Sequence, residues 1–312
     1  MKVLANDGIS ASGAAAIQAS GHELSTTKVA QNRLIDYINE EQIDVILVRS
    51  ATTVGKDIID ACSSLKAIGR GGVGMDNIDV DYACGKGLKV FNTPAASSHS
   101  VAELVMGHMR SLVRFMHDSN RQMPLEGDSK FGALKKSYAK GAELRGRTLG
   151  IVGFGRIGQA LAKLAIGAGM KVVFSDIHEN NVDVELSFFD GQSAKFTCEN
   201  VGFEHVLAES DIISVHVPGG DLIGTDELVK MKDGVVLLNA ARGGVINEEA
   251  LLDALESGKV AGAGLDVFVN EPTPAVKVLM NGKLSVTPHI GAATLEAQDR
   301  IGTELAAHID AI

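Results

Sequence analysis

Short apolar runs alternate with amphipathic segments along most of the chain, a pattern that predicts repeated units of strand and helix. Strands joined in this way pair in parallel and are covered by helices on both faces, so the pattern predicts an α/β fold. In the first hundred residues it predicts three helices, of which one begins after Ser10 and the others cover Arg33–Glu40 and Lys56–Ala61. The strands predicted there are Val3–Ala5, His22–Val29, Val45–Leu47, Lys66–Ile68 and Lys89–Phe91.

A second series of the same kind follows a long amphipathic helix predicted from Ser100 to about His117. Residues 120–146 are polar and contain glycine, which is typical of a connection or of an arm that contacts a partner. Two series in 312 residues predict two doubly wound parallel-sheet domains. The strands of the second series are predicted at Leu149–Val152, Lys171–Ser175, Ile212–His216, Val235–Asn239, Gly262–Asp266 and Ser285–Thr287.

A glycine-rich turn lies between the first strand and the first helix of this second series. Gly153 permits the tight turn, Gly155 lets the backbone approach a pyrophosphate, and Gly158 lets the helix pack closely on the strand. The next strand ends at Asp176, where a carboxylate can accept hydrogen bonds from ribose hydroxyls and repels a 2′-phosphate. The segment predicts a Rossmann domain that binds NAD in preference to NADP. A glycine-rich turn without a ligand is the alternative.

The position of this turn predicts the order of the domains. Because Gly153 lies near the middle of the chain, the nucleotide-binding domain is expected inside it, over residues 96–289. Residues 1–95 and 290–312 are then expected to build the other domain. Ligands of doubly wound sheets bind at the carboxyl ends of the strands, so we expect the active site at that edge, in the crevice between the domains.

Composition excludes several other classes of protein. The net charge is −10 and no dense basic stretch is present, so no nucleic-acid partner is expected. Three widely spaced cysteines, Cys62, Cys84 and Cys198, indicate reduced thiols and a cytoplasmic protein, and they do not supply a zinc site. No apolar run approaches the roughly 18 residues that a membrane span needs.

Three side chains that follow late strands are suited to acid–base chemistry. The planar guanidinium of Arg242 can hold a carboxylate through two hydrogen bonds. His289 can move a hydroxyl proton near neutral pH, and Glu271 is a carboxylate that could be its partner. On spacing alone, each of the three has an equally good structural explanation. Arg242 could be a surface ion-pair partner, His289 a loop histidine bonded to backbone, and Glu271 an acid that opens a proline turn.

A set of short motifs is distributed over the whole chain: Val48–Thr52, Gly69–Asp79, Asn92–Pro94, Ser100–Leu104, Gly153–Gly158, Ala241–Ile246, Gly264–Phe268 with Glu271-Pro272, and Thr287–Ala292. Through these segments the chain resembles the D-isomer-specific 2-hydroxyacid dehydrogenases. The resemblance implies a Rossmann NAD-binding domain inserted in a flavodoxin-like substrate-binding domain.

This resemblance also implies roles for individual residues. His289 is implied to be the catalytic acid/base, Glu271 its carboxylate partner, and Arg242 the anchor for the carboxylate and carbonyl of the substrate. Arg49, Ser50 and Gly74 correspond to the substrate-side loops, with Arg49 expected to bind a phosphate. The implied NAD contacts are Val73, Gly153, Gly155, Arg156, Ile157, Gly158, Asp176, Val217, Pro218, Ala240, Ala241, Asp266, Gly291 and Ala292.

The expected function is therefore that of an NAD-dependent oxidoreductase with a small 2-hydroxy acid as its substrate, and we expect 3-phospho-D-glycerate. A glyoxylate or hydroxypyruvate reductase, which needs no phosphate site, is the alternative within the family. An NAD-sensing, corepressor-like interaction protein on the same fold is the alternative outside the enzymes. The resemblance further implies a homodimer formed through the NAD-binding domain, with residues 118–146 as its arm.

The sequence departs from the family pattern at two places. After Val217-Pro218 the family has a longer loop containing threonine, whereas here Gly219 and Gly220 lead quickly to Leu222. We therefore expect one polar contact to the cofactor to be missing or to come from the backbone. The sequence ends at Ile312, close to the last predicted helix, and no C-terminal regulatory domain is expected.

Overall fold

The computed structural model describes every residue from Met1 to Ile312 and contains two compact units. Unit 1 consists of Met1–Ser100 and Ala292–Ile312, and unit 2 of Val101–Gly291.

Strands and helices alternate along nearly the whole chain. The first five strands and four helices are β1 (Lys2–Ala5), α1 (Ala11–Ala19), β2 (Glu23–Ser25), α2 (Leu34–Glu41), β3 (Val45–Val48), α3 (Lys56–Ala61), β4 (Ala67–Arg70), α4 (Val80–Gly85) and β5 (Lys89–Asn92). The remaining elements are α5 (Ser98–Val113), α6 (Met116–Ser137), β6 (Thr148–Val152), α7 (Arg156–Gly167), β7 (Lys171–Ser175), β8 (Val182–Ser187), β9 (Ser193–Asn200), α8 (Phe203–Glu209), β10 (Ile212–Val215), α9 (Thr225–Lys230), β11 (Val235–Asn239), α10 (Glu248–Ser257), β12 (Val260–Leu265), α11 (Val276–Leu279), β13 (Leu284–Val286) and α12 (Leu295–Asp310).

Unit 1 is built on a five-stranded parallel sheet in the order β2-β1-β3-β4-β5, which is the flavodoxin-like order. Apolar side chains of α1 and α12 form a core on one face, and those of α2, α3 and α4 form a core on the other. The two helices α1 and α12 pack closely, because a Cβ on Gly13 would lie 2.5 Å from the Cα of Gly302. Burial of both faces explains the fully buried run of β3.

Unit 2 is built on an eight-stranded sheet in the order β13-β12-β11-β10-β6-β7-β9-β8, in which only β8 is antiparallel. Numbered along the chain without β8, its parallel strands follow the Rossmann order 3-2-1-4-5-6 with one strand added at the far edge. Two apolar cores cover its faces. The two sheets together confirm the predicted fold class.

The strands β8 and β9 form a β-hairpin after β7, which was not predicted from the sequence. β8 pairs with β9 from Val182 opposite Cys198 to Ser187 opposite Ser193. The signal was present, because Val182, Val184 and Leu186 alternate with polar residues before an Asp-Gly turn. Val184 is buried, whereas the two phenylalanines that follow the strand, Phe188 and Phe189, are exposed.

Two predicted segments differ from the structure. Residues 116–137 form the helix α6, although a polar connection was predicted from residue 120. Pro124, two glycines and three serines weaken the helical pattern, and because no residue of α6 is buried, the segment carries no clear apolar stripe. The strand predicted at His22–Val29 is limited to β2, because this edge strand pairs only with the four-residue β1. None of the helices is long and apolar enough to cross a lipid bilayer.

Candidate active site

The carboxyl ends of six neighbouring strands of unit 2 lie in one row. In register, Ser175 of β7 is beside Val152 of β6, which is beside Val215 of β10. The row continues through the last residues of β11, β12 and β13, which are Asn239, Leu265 and Val286. The residues that come next along the chain carry nearly all the side chains that the sequence selected in this unit. Parallel pairing therefore brings distant sequence segments to one edge of the sheet.

The glycine-rich turn after β6 fits a dinucleotide, and each of its three glycines meets a different structural requirement. Gly153 has a φ of 87°, and a Cβ there would lie 2.6 Å from the carbonyl oxygen of His216. At Gly158 a Cβ would lie 2.5 Å from the carbonyl oxygen of Gly153. At Gly155 a Cβ would meet no atom within 4 Å, so this glycine leaves open space in front of the backbone. Open space at the N-terminus of α7 is what a pyrophosphate requires.

Asp176 follows β7 directly, and its carboxylate is oriented by the same turn. Its Oδ2 accepts from the backbone N–H of Phe154 at 2.6 Å, and its Oδ1 accepts from that of His178 at 2.8 Å. Burial would raise the pKa of Asp176, but these N–H groups outweigh it and lower the pKa below the ordinary value. An ionised carboxylate fixed beside the turn suits ribose hydroxyls and disfavours a 2′-phosphate.

We expect Asp176→Ala to raise the ratio of kcat/KM with NADP to that with NAD by about tenfold or more, chiefly through poorer use of NAD. The variant loses a ribose acceptor and the charge that repels a 2′-phosphate. Asp176→Asn keeps an acceptor for the Phe154 N–H and separates the effect of charge from that of turn geometry. Asp183→Ala, which removes an exposed carboxylate on β8, is the control. An unchanged ratio in the Asp176 variants would mean that this side chain does not face the ribose.

His289 and Glu271 form a direct pair. The Nδ1 of His289 lies 2.7 Å from Oε2 of Glu271, and both side chains are partly exposed, at 44% and 35%. Oε1 of Glu271 accepts from the backbone N–H of Phe268 at 3.0 Å, which fixes the orientation of the carboxylate. Because a carboxylate only accepts, Nδ1 carries a proton, and Nε2 of a neutral ring is then free to accept one. This is the tautomer that a general base needs.

The backbone at His289 is in the left-handed region, with a φ of 54°. The only other residues besides glycine in this region are Gln42, at the C-terminal end of α2, and Phe115, between α5 and α6. A histidine in this conformation costs about 1 kcal/mol or more and persists only where its surroundings impose it. Such strain on a polar, exposed side chain is a physical reason to assign it a function.

The turn that carries His289 wraps around Asp266, the residue after β12. The backbone N–H of His289 donates to the carbonyl oxygen of Asp266 at 2.8 Å. The buried carboxylate of Asp266 accepts from the N–H groups of Ile290 and Gly291, each at 2.8 Å, and from the hydroxyl of Thr287 at 2.6 Å. Asp266 therefore fixes the turn, and its predicted contact with NAD stays a prediction.

The turn that carries Arg242 is fixed in the same way by Asn239, the last residue of β11. Its side-chain amide accepts from the N–H of Ala241 at 3.0 Å and donates to the carbonyl oxygen of Arg242 at 2.9 Å. Next to it, a Cβ on Gly243 would overlap the carbonyl group of Phe268, so the Arg242 turn packs against the loop that leads to Glu271. The sequence reasoning missed Asn239, although a polar residue that ends an apolar strand was visible.

We expect Glu271→Gln to lower kcat about 10- to 100-fold, with a smaller effect on NAD affinity. If the amide oxygen keeps its bond from the Phe268 N–H, the amide nitrogen faces Nδ1 of His289 and donates to it. That bond selects the tautomer with the proton on Nε2, which cannot accept one from substrate. The control is Glu248→Gln, because Glu248 accepts from the N–H of Val269 in the same loop and an amide oxygen can replace it there. Equal activity of the two variants would remove Glu271 from the mechanism.

The substrate-side residues belong to unit 1, where the loop after β3 is well supported. The carboxylate of Asp7 accepts from the backbone N–H of Arg49 at 2.7 Å and from the hydroxyl of Thr52 at 2.7 Å. The amide of Asn77 donates to the carbonyl oxygens of Arg49 and Thr52, which closes this loop on both sides of Ser50. Asp7 and Asn77 were not singled out from the sequence.

The loop after β4 carries Val73 and Gly74. Val73 is 38% exposed, and its carbonyl oxygen accepts from the side-chain amide of Asn92 at 2.6 Å. A Cβ on Gly72 would overlap the guanidinium of Arg70, so the arginine lies over its own loop. The structure thus places Arg49, Ser50, Val73 and Gly74 in two neighbouring loops of unit 1, and their ligand contacts stay predictions.

The remaining predicted contacts lie close to these turns. Val217 lies beside the glycine-rich turn after β6, because a Cβ on Gly153 would lie 3.2 Å from Cγ1 of Val217. Pro218 leads into Gly219 and Gly220, which have φ values of 151° and 99°. Ala240 lies within the Arg242 turn, and Ala292 accepts from the side chain of Gln298 at 2.7 Å. Arg156 and Ile157 begin α7 after Gly155, the N-cap residue of that helix.

Comparisons with known proteins agree with this geometry. Residues 106–291 match the sequence profile of the D-isomer specific 2-hydroxyacid dehydrogenase, NAD binding domain. A hydroxypyruvate reductase of Thermotoga maritima is 44% identical over 290 residues, which cover 91% of this chain and 88% of that protein. A D-3-phosphoglycerate dehydrogenase of Mycobacterium leprae is 40% identical over 271 residues, which cover 85% of this chain and 48% of that protein. The solved structure of a glyoxylate reductase from Paecilomyes thermophila aligns with a TM-score of 0.81 and 30% identity, over 99% of this chain and 94% of that chain.

The chain belongs to the D-isomer-specific 2-hydroxyacid dehydrogenase family. It is an oxidoreductase of that class, and its cofactor is NAD, as the sequence predicted. The chain spans most of the Thermotoga protein but about half the length of the mycobacterial dehydrogenase, so the two relatives agree on the class of reaction and differ in the named substrate.

Proposed function

We propose that this protein catalyses the NAD-dependent oxidation of 3-phospho-D-glycerate to 3-phosphooxypyruvate, the reaction that begins the formation of L-serine, together with its reverse. The observation that carries the acid–base part is the His289–Glu271 pair, in which Nδ1 is bonded to a carboxylate and Nε2 is available. The substrate part is supported by two arginines at neighbouring strand ends of unit 1.

In the oxidation direction, Nε2 of neutral His289 removes the proton of the 2-hydroxyl group. Glu271 keeps the ring in this tautomer and stabilises the imidazolium that forms, because its carboxylate stays beside Nδ1. Arg242 binds the carboxylate of the substrate and stabilises the oxygen that becomes the carbonyl. Bound NAD supplies the acceptor for the hydride. In the reverse direction His289 returns the proton as an acid.

The phosphate of the substrate is assigned to Arg49, with Arg70 as the neighbouring cation. Arg70 ends β4 in register with Val48, the last residue of β3, and Arg49 is the next residue. The guanidinium of Arg49 suits a dianion because it can donate two parallel hydrogen bonds to phosphate oxygens. Arg70, whose guanidinium lies over its own loop and donates to the carbonyl oxygen of Gly71, adds positive charge beside it. The mycobacterial relative named D-3-phosphoglycerate dehydrogenase supports the same substrate.

A reductase of hydroxypyruvate is the second candidate, and the Thermotoga relative of that name favours it. The discriminating experiment measures turnover of NAD with 3-phospho-D-glycerate, D-glycerate and D-lactate in parallel. The proposal predicts a kcat/KM for the phosphorylated acid about 100-fold or more above that for D-glycerate. Equal values, or a preference for D-glycerate, would favour the hydroxypyruvate reductase.

We further propose that a second copy of the chain binds against α6. None of the 22 residues of α6 is buried, and four large apolar side chains are exposed on it: Met116, Met123, Leu125 and Phe131. The first residues of α6 also line a groove of about 820 Å³ at the amino ends of the unit 2 strands. In a two-fold interface the same surface of each subunit contacts its copy, and the proposal pairs the exposed side chains of α6 with this groove of a second copy.

Leu125→Glu with Phe131→Glu should convert a dimer to a monomer in light scattering, whereas Val229→Glu on α9 should not. A wild-type monomer would refute the dimer.

A further inference from the structure

A buried histidine lies behind the turn that carries His289. His108 is on α5 and is only 5% exposed. Its Nδ1 lies 2.8 Å from the hydroxyl of Ser285, and its Nε2 lies 3.0 Å from the hydroxyl of Thr287. Neither the sequence reasoning nor the proposed reaction uses this residue. A buried polar group with two fixed partners, beside a strained functional turn, calls for a physical explanation.

The direction of each hydrogen bond follows from the partners. Thr287 has one hydroxyl hydrogen and donates it to Asp266, so its oxygen accepts from Nε2–H of His108. The ring is neutral, because burial lowers its pKa; Asp266 opposes this change and His117 adds to it. Nδ1 is then unprotonated and accepts from the Ser285 hydroxyl. The bonds therefore run in one direction, from Ser285 through His108 and Thr287 to Asp266.

This chain of hydrogen bonds ends on the carboxylate that holds the His289 turn. Asp266 accepts from the N–H groups of Ile290 and Gly291, directly after the left-handed His289. The Thr287 hydroxyl occupies a further acceptor site of the same carboxylate. Without a donor from His108, Thr287 loses its fixed orientation and Asp266 loses support on its buried side.

We propose that His108 is a positioning residue, which acts through Thr287 and Asp266 to keep His289 in its left-handed conformation. The proposal rests on the catalytic role proposed for His289. It does not require His108 to exchange a proton or to touch substrate. It requires only that the ring donate from Nε2 to Thr287 and accept at Nδ1.

The test compares two substitutions at one position. His108→Leu fills the space but removes both hydrogen bonds, whereas the amide of His108→Gln can still donate to Thr287. In the protein without ligands, we expect amide hydrogen exchange at Ile290 and Gly291 to be at least tenfold faster in His108→Leu, and to return most of the way toward wild type in His108→Gln. We expect kcat to fall about tenfold in His108→Leu with KM little changed, and to recover in His108→Gln.

The matched control is Met109→Leu, which changes a fully buried neighbour on the same helix and should leave exchange and kcat unchanged. Thr287→Val cuts the same chain of bonds one step later and should reproduce His108→Leu, which keeps the test decisive if the leucine variant does not fold. Unchanged exchange at Ile290 and Gly291, or a glutamine variant as impaired as the leucine variant, would overturn the proposal. If the wild-type protein oxidised no 2-hydroxy acid, the proposed function would fail, while the exchange rates would still decide whether His108 anchors the turn.

Discussion

Replacement of His289 by alanine should lower kcat by roughly 10²- to 10⁴-fold while NAD binds with nearly its original affinity. The reason is geometric: Nε2 is the free nitrogen of a ring whose other nitrogen is bonded to Glu271. Removal of the ring deletes the base, whereas the glycine-rich turn and Asp176 lie after other strands and keep their hydrogen bonds. Stopped-flow or steady-state turnover gives kcat, and calorimetric titration with NAD gives the affinity.

His205→Ala is the control for this experiment, because it removes an exposed histidine on α8 of the same unit. It should leave both kcat and NAD affinity unchanged. A His289→Ala protein with near-wild-type turnover would exclude His289 as the acid/base. A parallel loss of NAD affinity would instead place its main effect on cofactor binding.

Replacement of Arg49 by alanine should cost about 2–4 kcal/mol in kcat/KM for 3-phospho-D-glycerate and far less for D-glycerate. The phosphorylated acid makes the guanidinium contact and the other acid never does. The backbone of Arg49 is held by Asp7 and Asn77, neither of which bonds to its side chain in doing so, so the loop should survive the substitution. The measurement is the ratio of the two kcat/KM values in wild type and variant.

Arg33→Ala provides the matched control, because Arg33 is an exposed arginine of the same unit that pairs with Asp36. An exposed pair of this kind contributes under about 1 kcal/mol, and neither substrate should be affected. Equal losses on both substrates in Arg49→Ala would show that Arg49 does not bind the phosphate. Reduction of hydroxypyruvate would then become the preferred function.

The fold could be predicted from the sequence largely because its elements are regular and buried on both faces. The strands Lys171–Ser175 and Val235–Asn239 and the helix Lys56–Ala61 have the predicted bounds, and Ser10 caps α1 through the N–H of Gly13. Prediction failed where the sequence pattern of a segment does not indicate the element that the segment forms in the fold. The hairpin β8–β9 was not predicted between the strands Lys171–Ser175 and Ile212–His216, and the helix α6 was missed because it has no buried apolar stripe.

The candidate site was predictable to the extent that its chemistry is carried by single side chains in recurrent motifs. His289, Glu271 and Asp176 follow strands and could be selected as candidates from their side-chain chemistry, whereas the roles of His289 and Glu271 were implied only by the family resemblance. The groups that hold them could not, because Asn239, Asp7 and His108 act through hydrogen bonds to segments far away in sequence. These hydrogen-bond partners can be identified only in the folded structure, where parallel strands align their carboxyl ends.

The most direct test of the central claim is the reduction of 3-phosphooxypyruvate and of hydroxypyruvate by NADH, measured with the same enzyme preparation. The two acids differ only in the phosphate, so the ratio of their kcat/KM values isolates the assigned phosphate site. A ratio of about 100 or more in favour of 3-phosphooxypyruvate, reduced toward unity by Arg49→Ala, is the predicted result. A ratio near or below unity in the wild-type protein would contradict the proposed substrate.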